Sequence, residues 1–261
     1  MKVELIENKN EKTSFVINDI DATTANTLRR TIMEEVPVMA VDVVNFKGNS
    51  SALYDEIIAH RLGLLPLKTD LAGYNLREEC KCKGKGCPSC QAILTLKATG
   101  PLTVYARDIK SKDPKIIPVF PDMPIVKLIK GQKIEAEMIA SLGKGKEHAK
   151  YQPALAHYRG YPDIKIKDAK AVEGEKVCPT HVFKVQDGKI KVDDEKKCIL
   201  CMACVDATND KIEVNASEKD FIFFLESFGQ LSNKETASKA LEIIDSKLDE
   251  FKDKLSLIKK A

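Results

Sequence analysis

The chain has little that would place it in a membrane or mark it as a catalyst. No run of about 18 apolar residues occurs in its 261 positions, so no helical span is expected. Met1 to Glu7 lacks the apolar core of a secretory signal, and a cytoplasmic location is the expectation. The net charge is only +3, too small for bulk electrostatics to imply nucleic-acid binding. The lysines of Lys81 to Lys85 therefore read as a solvated loop. Four histidines, His60, His148, His157 and His181, are scattered and stand beside no serine or cysteine in a recognisable nucleophile signature. Gly143-Lys144-Gly145-Lys146 lacks the spacing of a phosphate loop, and Glu147 stands where its hydroxyl residue belongs. No active site is expected in this chain.

What the sequence does have is eight cysteines in two groups. In a reducing compartment such groups read as metal ligands rather than as disulfides. Cys198-Ile-Leu-Cys201-Met-Ala-Cys204, with Cys178-Pro179 upstream, has the spacing that wraps an iron–sulfur cluster. Three thiolates come from the local run, and the distant Cys-Pro supplies the fourth. A second cluster would need cysteines between Asp168 and Val177 and a cysteine at Thr208, and these are missing together. One cluster is expected on Cys178, Cys198, Cys201 and Cys204: [4Fe–4S], or [3Fe–4S] if a thiolate is lost to oxidation. The same four residues also suit a small zinc site. Asp187-Gly188 between the alternating runs Val182 to Gln186 and Lys189 to Val192 predicts a two-residue hairpin, so a ferredoxin-like module is expected over residues 163–214. Alone, that module would suggest an electron-transfer protein or a redox-enzyme subunit.

The other group is Cys80, Cys82, Cys87 and Cys90, compact enough for all four sulfurs to reach one ion, with Gly86 and Pro88 to turn the backbone. Four thiolates with no open position describe a structural zinc site.

The two ends of the chain read as parts of one unit. Lys2 to Glu7 and Thr13 to Asn18 predict a hairpin, Ala22 to Glu35 a helix stopped by Pro37, and Val38 to Lys47 a strand. Tyr54 to Leu62 returns to helical spacing, and Asp220 to Ser227 predicts an apolar strand. Ser232 and Glu235 form a capping box that opens a long helix. Along it Ala237, Leu241, Ile244, Leu248, Phe251, Leu255 and Ile258 step by four and three, a narrow a/d seam that calls for another helix. Part of that seam is expected to pack on the helix around Leu28, and the rest on a protein partner.

Asn26-Thr27-Leu28-Arg29-Arg30-Thr31, Val36 to Val41, Tyr54-Asp55-Glu56-Ile57-Ile58-Ala59-His60-Arg61-Leu62-Gly63-Leu64-Leu65-Pro66 and Gly143 to Pro153 closely resemble the D-type subunit family of archaeal RNA polymerase. That family is similar to the bacterial α subunit and to the third subunit of eukaryotic RNA polymerase II. The resemblance covers the whole chain and implies an α+β fold in three parts. Residues 1–43 with 215–261 would form a dimerisation domain, 44–162 a mostly-β insertion domain carrying the zinc-type loop, and 163–214 the ferredoxin-like iron–sulfur domain. It implies a non-catalytic assembly subunit of DNA-directed RNA polymerase. The seam of Ala237 to Ile258 would meet the small α-like subunit L, and Arg29 and Arg30 would face the large subunits. DNA would be met only indirectly, through the complex. No acidic triplet of the polymerase magnesium type is present, so catalysis would belong to other subunits.

Overall fold

The computed structural model describes residues 1–258. In chain order its elements are β1 (Lys2–Lys9), β2 (Lys12–Asn18), α1 (Ala22–Glu34), β3 (Val38–Asn49), α2 (Asp55–Gly63), β4 (Ala92–Thr99), β5 (Leu102–Tyr105), β6 (Lys110–Ser111), β7 (Pro124–Leu128) and β8 (Lys133–Gly143). There follow β9 (Ala154–Ile166), α3 (Glu173–Val177), β10 (Phe183–Gln186), β11 (Lys189–Val192), α4 (Ala203–Ala207), β12 (Ile212–Ser227) and α5 (Asn233–Ile258). The fold mixes helix and sheet. Among the described residues no helix is long and apolar enough to cross a membrane.

Two compact units divide the chain. The first comprises Met1–Thr27 and His157–Phe224. Its sheet is ordered β1-β2-β12-β9. β1 and β2 form the expected antiparallel hairpin, closed by Lys9 opposite Lys12. Aromatic rings bind the sheet together: Phe15 stacks on Phe223 at 5.5 Å, and Tyr158 stacks on Phe223 at 5.2 Å. The strand expected at Asp220 to Ser227 is the apolar end of a longer strand, for β12 starts at Ile212. Its middle, Asn215 to Lys219, is mostly exposed and polar, so no apolar alternation announced it.

A small core in this unit joins Ala171, Val182, Phe183, Ile190, Ile212 and Val214 to the buried Cys178, Cys198 and Cys204. β10 and β11 pair around Asp187 (φ 52°) and Gly188 (φ 69°). Two positive φ values at the loop are what a tight primed hairpin turn requires. Gly174 lets α3 lie close to β12, since a Cβ there would stand 2.5 Å from Ile212 Cδ1.

The second unit comprises Leu28–Ala156 and Leu225–Ala261, of which residues 28–156 and 225–258 are described. Here a sheet ordered β3-β8-β4-β6 carries the main core, with the β5-β7 pair beside it. Met39, Leu62, Leu94, Leu96, Leu128 and Met138 are buried together, and α2 contributes Ile58 and Leu62. A second core gathers Ile32 of α1, Val36, Val38, Tyr151, Leu225, Leu231 and Ala240 of α5.

The capping box of α5 is formed as the sequence predicts. Glu235 N–H donates to Ser232 Oγ at 3.2 Å, and Ser232 N–H donates to Glu235 Oε2 at 2.9 Å. Thr236 and Ala240 are fully buried, and Ile243 packs on the same core. The inward stripe of α5 therefore lies beside the predicted seam and shares only Ala237 with it.

Candidate metal centres and partner interface

The first cysteine group closes on itself. Lys83 N–H donates to Cys80 O at 2.8 Å, and Cys90 N–H donates to Cys87 O at 2.9 Å, so two tight turns face one another. Lys83 (φ 54°), Gly84 (φ 76°) and Gly86 (φ 88°) reverse the backbone between them. The sulfurs converge: Cys80 to Cys87 is 3.5 Å, Cys82 to Cys90 is 3.6 Å and Cys87 to Cys90 is 3.8 Å. All four lie within 4.8 Å of one another, placed to hold one metal ion. These are contact distances between free thiols, well beyond the roughly 2.05 Å of a disulfide.

The chemistry of the group is split by environment. Burial pushes Cys90 up to about 12. Burial also raises Cys82, but hydrogen bonds from Cys80 and Cys90 and from the Gly86 amide outweigh it and bring Cys82 down to about 6. Cys82 is thus the thiol shifted toward thiolate, the form that binds metal. Arg77, just ahead of the loop, pairs with Asp42 of β3 at 3.4 Å and ties the loop to the sheet.

The second cysteine group is assembled from separate pieces. Cys178 follows α3, Cys198 follows the short turn Glu195–Lys197, and Cys204 lies inside α4. Cys178, Cys198 and Cys204 are buried in one core, whereas Cys201 is exposed. Leu200 (φ 58°) and Met202 (φ 62°) flank Cys201 in the left-handed region, which non-glycine residues rarely occupy. Val182 N–H donates to Cys178 Sγ at 3.4 Å, and Leu200 N–H donates to Cys198 Sγ at 3.5 Å. Burial raises Cys198 and Cys204, and each is raised further by the charges of the neighbouring cysteines. Burial also acts to raise Cys178, but amide and hydroxyl donors from Val182, Thr180 and His181 overcome it and lower its pKa. Among the described residues, no other group of three or more potential ligands converges as tightly as Cys80 to Cys90.

The third candidate is the outer face of α5. Leu241, Leu248, Phe251 and Leu255 are 54%, 59%, 61% and 44% exposed, while Ala237 and Ile244 are half-buried. The side chain of Ile258 lies outside the described residues. On α1, Arg30 pairs with Glu34 at 3.0 Å and Arg29 Nη1 reaches Met33 Sδ at 3.6 Å. Both arginines hold contacts along their own helix.

The stretch Gly143 to Lys150 has a structural task that its sequence does not announce. It clamps the C-terminal end of α1: Lys146 N–H donates to Glu34 O at 3.1 Å, and a Cβ at Gly145 would collide with the Met33 carbonyl. Glu35 is the hub of this clamp. Its carboxylate meets Lys247 at 3.0 Å, Lys146 at 3.5 Å and Lys144 at 3.8 Å. The one sign of it in the sequence is the paired glycines among lysines, which fit close backbone approach as well as they fit phosphate.

Residues 41–160 match the family described as RNA polymerase Rpb3/RpoA insert domain. That match sets the class: a chain with the insert domain of the Rpb3/RpoA group, here carrying the Cys80 to Cys90 loop. At nearly full length, the chain is 39% identical over 257 residues to DNA-directed RNA polymerase subunit Rpo3 of Methanosarcina acetivorans, covering 96% of this chain and 97% of that one. It is 39% identical over 254 residues to Rpo3 of Archaeoglobus fulgidus, covering 96% of each. With Rpo3 of Pyrobaculum arsenaticum the identity is 36% over 265 residues, covering 100% of this chain and 97% of that one. The chain belongs to the family of archaeal DNA-directed RNA polymerase subunit Rpo3, the D-type subunit.

Proposed function

We propose that this chain is a non-catalytic assembly subunit of a DNA-directed RNA polymerase in the cytoplasm. It pairs with a small α-like subunit of the L type and then receives the large subunits. The observation that carries this reading is the face of α5, where Leu241, Leu248, Phe251 and Leu255 stand exposed in one seam. Burying each such side chain is worth about 1.5–3 kcal/mol, so the seam favours a permanent helical partner. Arg29 and Arg30 are assigned to the contact with the large subunits, and DNA is met only through the complex. The three-part division, 1–43 with 215–261, 44–162 and 163–214, is retained as the functional division of the chain.

We infer zinc at Cys80, Cys82, Cys87 and Cys90. Sulfurs about 2.3 Å from a tetrahedral zinc lie about 3.8 Å apart; three sulfur pairs of this loop stand at 3.5 to 3.8 Å and all four lie within 4.8 Å, which supports the inference. We infer a [4Fe–4S] cluster at Cys178, Cys198, Cys201 and Cys204. Support comes from the buried thiols, the amides donated to sulfur and the left-handed residues either side of Cys201. The ferredoxin-like reading of residues 163–214 is part of this inference. When bound, the cluster supplies a redox-sensitive anionic centre that ties α3, α4 and the Glu195–Lys197 turn into one piece.

The test is to tag the chain, purify it from its own cells without oxygen, and identify what remains bound after a salt wash. Recovery of a small α-like chain with the large polymerase subunits is the expected result. Recovery alone, or with oxidoreductases, would overturn the assembly reading.

A further inference from the structure

Around the second cysteine group one side chain has no part in the roles above. Arg159 of β9 is half-buried, and its guanidinium lies over the Phe224 ring at 4.9 Å. Its Nη2 donates to the Lys196 carbonyl at 2.8 Å, two residues before Cys198. Its Nε is buried and has no partner among the described residues. No carboxylate among the described residues pairs with it. The other ties of this turn are of a different kind: Tyr161 Oη donates to Glu195 Oε1 at 2.7 Å, and Lys196 Nζ pairs with Glu4 at 2.5 Å. The first leaves the Glu195 carboxylate charge in the turn, and the second is internally balanced. Arg159 brings the turn a cation that bonds a carbonyl rather than a carboxylate.

A half-buried cation without an anion loses solvation and gains little in exchange. Burial pulls the guanidinium pKa down, and Cys198 opposes the fall when it is thiolate, the form in which a cysteine binds metal. An iron–sulfur cluster on four thiolates is anionic, and such a charge would balance the guanidinium and accept its orphaned Nε–H.

We propose that Arg159 is the positioning cation of the iron–sulfur site, holding the Lys196 to Cys198 turn on the sheet and stabilising the cluster's negative charge, most of all in the reduced state. This rests on the iron–sulfur assignment made above. Arginine suits the task better than lysine, because one nitrogen binds the carbonyl while Nε–H stays free and the flat face stacks on Phe224.

The test uses the full chain with its polymerase partners, purified without oxygen, as wild type, Arg159→Gln and Arg159→Lys. Cluster content is read from iron, sulfide and visible absorbance, and the potential from a redox titration followed by electron paramagnetic resonance. Arg159→Gln keeps a donor for the Lys196 carbonyl but removes the charge. It should shift the midpoint to a more negative value and weaken cluster retention under chelator about tenfold, equivalent to about 1.4 kcal/mol. Arg159→Lys keeps the charge and should hold the midpoint close to wild type. A wild-type protein without iron and sulfide would sink the iron–sulfur assignment itself. A loaded Arg159→Gln protein with wild-type potential and retention would sink only the role of Arg159. If Arg159→Gln does not accumulate, Arg159→Lys decides alone: a lower melting temperature at unchanged potential supports the charge, and a potential that falls with stability overturns it.

Discussion

The two cysteine groups, four thiols each, are assembled in opposite ways. Cys80 to Cys90 complete their site within one short loop, so spacing and two glycines suffice to bring the sulfurs within 4.8 Å. The site proposed at Cys178 to Cys204 draws its buried cysteines, Cys178, Cys198 and Cys204, from pieces of chain that meet in one core with Ile190, Ile212 and Val214. The first is decided locally, and the second depends on strands far apart in sequence. Local closure makes a site depend on its metal, whereas remote assembly makes it depend on the fold, and separate perturbations should tell the two apart.

The largest effect is expected where closure is local. Replacing Cys87 and Cys90 together by Ser removes two ligands and with them binding energy on the order of 10 kcal/mol for a zinc of this type. Zinc content should fall to zero and the 80–90 segment should become sensitive to limited proteolysis. Iron content and the melting of residues 163–214 should not change. Loss of both metals from this one variant would break the distinction between local and remote sites. The reciprocal Cys198→Ser variant should lose iron and keep zinc.

A smaller effect is expected at the outer face of α5, which the core of the described residues leaves exposed. Leu248→Asp with Phe251→Asp puts charge on two side chains that are 59% and 61% exposed. Helix content and melting temperature should stay as in wild type. Affinity for the proposed small α-like partner should fall by about 2–4 kcal/mol or more, measured by titration of purified chains. Unchanged pairing would remove the seam from the interface. The inward stripe is the control: Ala240→Asp, at a fully buried position, should unfold the unit instead.

The contrast between local and remote also explains what the sequence made legible. The Asp187-Gly188 hairpin, the Ser232–Glu235 capping box and the Cys80 to Cys90 loop rest on residues a few positions apart, and their physics is contained in a short window. The exposed apolar seam of α5 was visible for the same reason, since a helix fixes its own faces. What could not be read was long-range. The sheet order β3-β8-β4-β6 joins strands nearly a hundred residues apart. Thr236, Ala240 and Ile243 became the inward stripe of α5 because of what α1 and Tyr151 bring to that side, which no window on α5 contains. Arg159 gave no sign at all, as its meaning comes from Lys196, Cys198 and Phe224.

The clamp on α1 offers two finer probes of remote assembly. Gly145→Ala places a methyl against the Met33 carbonyl, a backbone atom that cannot swing aside. The expected cost is about 1–3 kcal/mol, typical of overpacking, read as a lower denaturant midpoint with unchanged slope. No change would mean that the loop relaxes freely and is not a clamp.

Glu35 should give the smallest effect, and pH identifies it. Burial acts to raise its pKa, but the hydrogen bond from Lys247 and the charges of Lys247, Lys146 and Lys144 together bring it below the ordinary 4.5. A carboxylate with a depressed folded-state pKa binds protons more readily in the unfolded chain, so its contribution is fully present above the unfolded value. That contribution is lost as pH falls through the lower folded value. With Lys247 and Lys146 55% and 50% exposed, solvent screening holds the expected cost of Glu35→Gln to about 0.5–1 kcal/mol near neutrality. Comparing the two proteins on the same pH scan cancels the protonation of the cysteines, which they share. The stability gap should be constant from neutral pH down to about 4.5 and close below it. A gap that persists at lower pH would mean that Glu35 acts by packing, and that α1 is held by the shape of the Gly143 to Lys150 loop rather than by its lysines.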